Sequence, residues 1–101
     1  MIVYNITVKV NHEIEEEWLQ WQKQEHIPEI LATQQFIEHK FFRLLNVDES
    51  DGITYAIQFL AEDMQHYKTY ATQYAAALNA KANAKWGDKF VLFATILQSV
   101  H

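Results

Sequence analysis

The chain has 101 residues, half of them apolar or aromatic, with two Gly, one Pro and no Cys. That composition excludes disordered, collagen-like and linker classes, a disulfide scaffold, a cysteine nucleophile and any Cys-ligated metal centre. Eight basic against thirteen acidic side chains leave a net charge of −5, and with no basic run this argues against nucleic acid as a partner.

Residues 2–10 alternate, with Ile2, Tyr4, Ile6, Val8 and Val10 on one face and Val3, Asn5, Thr7 and Lys9 on the other, which is the pattern of a strand. Asn11 is positioned to cap a helix whose first turn gathers Glu13, Glu15, Glu16 and Glu17, carboxylates suited to the positive end of a helix dipole. Ile14, Trp18 and Trp21 form its buried stripe. Pro28 should interrupt this helix or start a second short one carrying Ile27, Ile30 and Leu31. Residues 36–47, rich in Phe, Ile and Leu, read as a strand leading into the acidic turn Asp48 to Gly52. Residues 53–61 make its hairpin partner, with Ile53, Tyr55, Ile57 and Phe59 on one face. The pattern then predicts one long helix from an Asp63 cap to Lys85, with Met64, Tyr67, Ala71, Tyr74 and Leu78 at helical spacing and Gly87 as the stop. Residues 89–99 make the last strand.

Strand, helix, strand, strand, helix, strand is the ferredoxin-like plan, an α+β fold in a single domain over residues 1–101. Its antiparallel sheet has the order 4-1-3-2, with both helices on one face. The other face should then be polar if water covers it. Instead the last strand has Phe90, Leu92, Ala94 and Ile96 on one face and Val91, Phe93 and Leu97 on the other. Each large side chain left bare would forgo ~1.5–3 kcal/mol of burial. A homodimer packed sheet to sheet through the helix-free face, enclosing a cavity between the two sheets, resolves this. No secretory leader is read at Met1 to Asn5, and the longest apolar run, Phe90 to Leu97, is far short of the ~20 residues of a membrane-spanning helix. A cytoplasmic protein without membrane contact is the expectation.

The stretch Trp18-Leu19-Gln20-Trp21-Gln22-Lys23-Gln24-Glu25-His26-Ile27-Pro28-Glu29-Ile30-Leu31, followed by Phe36, resembles the first-helix region of the dimeric α+β barrel proteins. Among them it is most similar to the DUF4286 family. The resemblance implies a ferredoxin-like dimeric barrel and no particular reaction. The superfamily holds cofactor-free monooxygenases, haem-degrading enzymes, dismutases and plain binding proteins, so fold cannot choose among them. The haem-degrading members use an Asn near the start of the first strand, a His on the second long helix and a Trp. Asn5 stands in a comparable place here and His66 near the start of the second helix, but the spacing around His66 does not match the family's, and Trp86 lies at the far end of that helix and leaves the triad incomplete.

His26, beside the Pro28 break, is the first candidate for chemistry, since a His near neutrality serves as acid, base or ligand. The plainer alternative is a ring bonded to a backbone carbonyl at the break. Asn5, Thr7, His39, Arg43, Gln58 and Thr95 are polar residues inside apolar strands. They would orient a ligand in the inter-sheet cavity or hydrogen-bond across the dimer. Residues 36–47 leave two registers open: either Glu38 and Lys40, or His39 and Arg43, point away from the helices. His66 with Glu62, and Glu25 with Glu29, are helical pairs without a third ligand, so no metal is expected. Tyr67, Tyr70 and Tyr74 suit packing. The only serines, Ser50 and Ser99, give no nucleophilic triad. The reading is a homodimeric barrel binding a small apolar or aromatic ligand without a cofactor. His26 is the titrating group, Asn5, His39, Arg43, Gln58 and His66 are ligand contacts, and cofactor-independent oxidation or isomerisation is the chemistry. The alternative is a non-enzymatic structural or regulatory module.

Overall fold

The computed structural model describes residues 1–100. Its elements in chain order are β1 (Ile2–Val10), α1 (Glu15–Trp21), a π-helical turn (Gln22–His26), α2 (Ile27–Leu31), β2 (Glu38–Arg43), β3 (Ile53–Ala61), α3 (Met64–Gln73), α4 (Ala75–Trp86) and β4 (Phe90–Gln98). The strands form one antiparallel sheet in the order β2-β3-β1-β4, as the α+β ferredoxin-like plan requires.

Alternation in β1 and β3 fixes the inner face. Ile2, Tyr4, Val8 and Val10 of β1 and Ile53, Tyr55, Ile57, Phe59 and Ala61 of β3 are buried beneath the helices. Aromatic side chains dominate this layer. Trp18 of α1 lies 5.3 Å from Tyr55 and 6.0 Å from Phe41 between ring centroids. Tyr70 of α3 lies 5.7 Å from Tyr4 and 5.0 Å from Phe36. All four contacts land on the same side of the sheet, so the helices form a single covering layer.

The register of β2 settles the open choice. His39 pairs with Phe59, Phe41 with Ile57 and Arg43 with Tyr55, so these three share the helix-facing side. Glu38, Lys40 and Phe42 face the other way. The strand is also shorter than 36–47. Phe36 precedes it and turns into the core, whereas Ile37 and Leu45 are exposed.

The second helix differs more. In place of one helix from Asp63 to Lys85 there are two, broken at Tyr74, whose φ of −123° is not helical. The Thr69 hydroxyl donates to the Gln65 carbonyl at 3.0 Å and the Thr72 hydroxyl to the Lys68 carbonyl at 2.8 Å. Such back-bonds bend helices. The bend changes which residues reach the sheet. Tyr70, Leu78, Ala82 and Trp86 are buried, while Met64, Ala71 and Tyr74 of the expected stripe are exposed. Asp63 caps α3 as expected, its carboxylate accepting from the His66 N–H at 3.0 Å. Gly87, at φ +59°, ends α4.

At the start of β3, Gly52 runs against the end of β1. A Cβ there would collide with the Val10 carbonyl oxygen, a backbone atom that cannot rotate away. Gly52→Ala should therefore lower stability by about 1–3 kcal/mol in denaturant unfolding. An unchanged midpoint would contradict this packing.

Candidate functional site

Pro28 shapes the site. It has no N–H to give the helix ladder, and its ring would crowd the carbonyl four residues back. The chain responds by widening just before it. The Ile27 N–H bonds the Gln22 carbonyl, five residues back, and Pro28 sits in the first turn of α2. A π-helical turn shifts the side chains it carries relative to an α-helical ladder. Here Gln22 and His26, four apart, both point inward and are buried.

They line a cavity of about 470 Å³ between the helices and the β1–β4 half of the sheet. Its walls are apolar, with Tyr4, Ile6, Val8 and Phe59 on the sheet side and Trp21 and Tyr70 on the helix side. Asn79 and Asn83, one turn apart on α4, line it together with Leu92 and Ala94 of β4, and these four exposed residues mark its mouth. No Asp, Glu, Lys or Arg lines the cavity.

His26 stacks on Trp21, ring centroids 4.4 Å apart and planes 17° from parallel. Among the described residues neither ring nitrogen has a protein hydrogen-bond partner, so the carbonyl bond considered from sequence is not made. Burial lowers the His26 pKa below its ordinary value of 6.5. Nearby Glu29 works against the shift and Lys81 adds to it. Those two pair with each other at 3.0 Å and tie α2 to α4. Burial likewise raises the Tyr4 and Tyr70 hydroxyls. At neutral pH the lining therefore carries no charge. Gln22 Oε1 is enclosed and accepts no hydrogen bond among the described residues, and the indole N–H of neighbouring Trp86 likewise has no acceptor.

The remaining sequence candidates lie elsewhere. Asn5 and Gln58 are on the helix-free face, the Gln58 Nε2 donating to Asn5 Oδ1 at 3.3 Å. His39 sits over Phe59 at the rim of a separate groove with Ile27, Pro28 and Phe41. The Arg43 guanidinium is held by Glu49, with Nη2 at 2.9 Å from Oε1 and Nε at 3.2 Å from Oε2. His66 is exposed, its Nδ1 2.7 Å from Asp63 Oδ1. Asn5 and His66 are on opposite sides of the sheet, so the haem-type constellation does not assemble. The expected ligand set therefore does not gather in one place, and the cavity within one chain is on the helix side. Gln22, Asn79 and Asn83 escaped the sequence reading. The last two had a signal: paired Asn at i, i+4 in an alanine-rich helix, where Asn is a poor helix former. Among the described residues no group of three metal-ligating side chains converges. Among the described residues no helix is long and apolar enough to cross a membrane.

The profile of the domain of unknown function DUF4286 matches residues 1–100. The chain belongs to the DUF4286 family. The sequence matches no curated protein. Among solved structures it is similar to an ethyl tert-butyl ether d (EthD) family protein from Bacillus halodurans. The TM-score is 0.69 and the identity 16%, over 99% of this chain and 100% of that one. It is also similar to SnoaB, a cofactor-independent oxygenase from Streptomyces nogalater, studied as a mutant, with a TM-score of 0.61 and 12% identity over 99% and 94% of the chains. A dimeric ferredoxin-like protein from an uncultured marine organism gives a TM-score of 0.58 at 16% identity over 100% and 94%. At these identities the likeness establishes the fold of this DUF4286 member.

The buried imidazole makes stability depend on pH. Folding lowers the His26 pKa, so the unfolded chain binds more protons between the two values and stability rises with pH there. The contribution is complete above about 6.5 and is lost as pH falls through the folded value. Between about pH 7.5 and about pH 5.5 the melting temperature should therefore fall more for the natural chain than for His26→Phe, which keeps an aromatic ring on Trp21 but cannot titrate. Equal falls would remove His26 as the titrating group.

Proposed function

We propose that this protein binds a small flat organic molecule in the helix-side cavity and works as a homodimer through the helix-free face of its sheet. The observation that carries the first part is an apolar cavity of about 470 Å³ with the buried polar residues Gln22 and His26 in its lining. This is the usual make-up of a ligand site, mostly apolar with a few placed polar groups. The Trp21–His26 stack offers a planar wall to an aromatic ring. A neutral imidazole facing that ring is a base for an acidic C–H or phenolic proton, the step that opens cofactor-independent oxidation or isomerisation. The likeness to SnoaB supports this chemistry by analogy of fold.

The helix-free face supports the second part. Phe93 is 62% exposed and Val91 66%, with Phe42 and Leu97 exposed on the same side. A continuous polar row crosses this surface, formed by Lys40, Gln58, Asn5 and Thr95 on the four strands, with Glu38, Thr7, Lys9 and Thr54 on the same side. In a dimer, hydrogen bonds from that row would fix the register of two sheets that apolar contact alone leaves free to slide. Asn5 and Gln58 are interface residues on this reading, and a dimeric neighbour of the same fold supports it. A non-enzymatic dimeric module is the second reading, favoured by the absence of any charged side chain at the cavity.

Thermal shift against a panel of aromatic and quinone-like compounds tests the ligand site. At least one should raise the melting temperature in the natural chain and fail to do so in His26→Ala. No shift by any compound would leave the cavity without a role. In sedimentation at micromolar concentration the chain should run as two subunits, and Phe93→Glu should run as one. A natural chain that sediments as a monomer would contradict the dimer.

A further inference from the structure

Three features of the cavity narrow what it would hold. The first is electrical. With no Asp, Glu, Lys or Arg in the lining, an ion entering would leave water for a site without a counter-charge. The second is an unfinished hydrogen-bond set. Gln22 is only 6% exposed, and its enclosed Oε1 has no partner among the described residues. Whichever way the amide is turned, one buried polar end lacks a partner, and leaving it so costs about 1–3 kcal/mol. The third is shape, since two stacked planar rings, Trp21 and His26, line the cavity together with that amide.

We infer that the cavity selects uncharged planar molecules bearing a hydroxyl or carboxamide, with Gln22 as the residue that reads the polar substituent. This rests on the ligand-site reading above and adds to it a charge rule and a named determinant. Because one end of the Gln22 amide is enclosed, a ligand meets the other end, which is donor or acceptor according to how the amide is turned; it pairs with a hydroxyl or a carboxamide and cannot neutralise a carboxylate. Asn79 and Asn83 at the mouth carry the same uncharged chemistry outward.

Four probes with the same two-ring body separate the terms: 2-naphthol, 2-naphthamide, 2-naphthoate and naphthalene, titrated calorimetrically at neutral pH. The naphthol and the amide should bind about tenfold or more tighter than the carboxylate and the bare hydrocarbon. Gln22→Met should bring 2-naphthol to the affinity of naphthalene and leave naphthalene unchanged. If 2-naphthoate binds as tightly as 2-naphthol, the charge rule is overturned while the ligand site stands. If Gln22→Met binds 2-naphthol like the natural chain, Gln22 is not the determinant. Binding of none of the four overturns the inference together with the ligand site. The comparison among probes on the natural chain holds even where the variant does not fold.

Discussion

The alternation of β1 and β3 commits Tyr4, Val8, Tyr55, Ile57 and Phe59 to one side of the sheet, and burial of that side against the helices is the interaction on which the rest of the structure depends. Each such side chain gains about 1.5–3 kcal/mol on leaving water. The cover is uneven. It is tight over β3, where Trp18 meets Tyr55 and Phe41, and thin over β4, where Leu92 is 51% exposed. The cavity is the consequence: the helices stop short of the edge strand, and the space between is lined by Ile6, Leu92 and Ala94 on the sheet side.

A second constraint equips that space. Pro28 forces the wide turn from Gln22 to His26, and the turn brings an amide and an imidazole to bear on an otherwise apolar volume. Both sit on helical backbone anchored by Trp18 at 1% exposure, so their directions are set by the core rather than by a loop. The same chain thus has two chemically different sides. The helix side holds an uncharged cavity that opens between α4 and β4. The helix-free side is a broad strand surface on which exposed apolar side chains such as Phe42, Val91 and Phe93 alternate with polar ones, which suits another sheet better than a small molecule.

Much of this was legible in the sequence. Clean period-two patterns gave β1 and β3, the order of elements gave the topology, and the Asp63 cap and Gly87 stop fell where local chemistry put them. The failures have physical causes. The break at Tyr74 was hidden by the alanines after it, whose helix propensity argues for continuity while threonine back-bonds bend the chain just before. The side of β2 could not be chosen because adjacent Phe41 and Phe42 place a large apolar ring on each face. Among the six candidate site residues, His26 lines the cavity, Asn5 and Gln58 lie beneath the other face, and Arg43, His39 and His66 are occupied or exposed at the periphery. Polarity within an apolar strand flags a residue of interest, but only the register says which side it serves. Gln22 had no signal at all, because its inward direction depends on the backbone widening next to the proline.

Ligand binding on the helix side of the sheet is the property from which the rest follows. The most direct measurement is an amide and side-chain NMR titration of the natural chain with 2-naphthol. The account predicts shifts concentrated at Trp21, Gln22, His26 and Ala82, with Asn5, Gln58 and Thr95 unmoved. Shifts centred on Asn5, Gln58 and Thr95, with the resonances of the wide turn at rest, would contradict it.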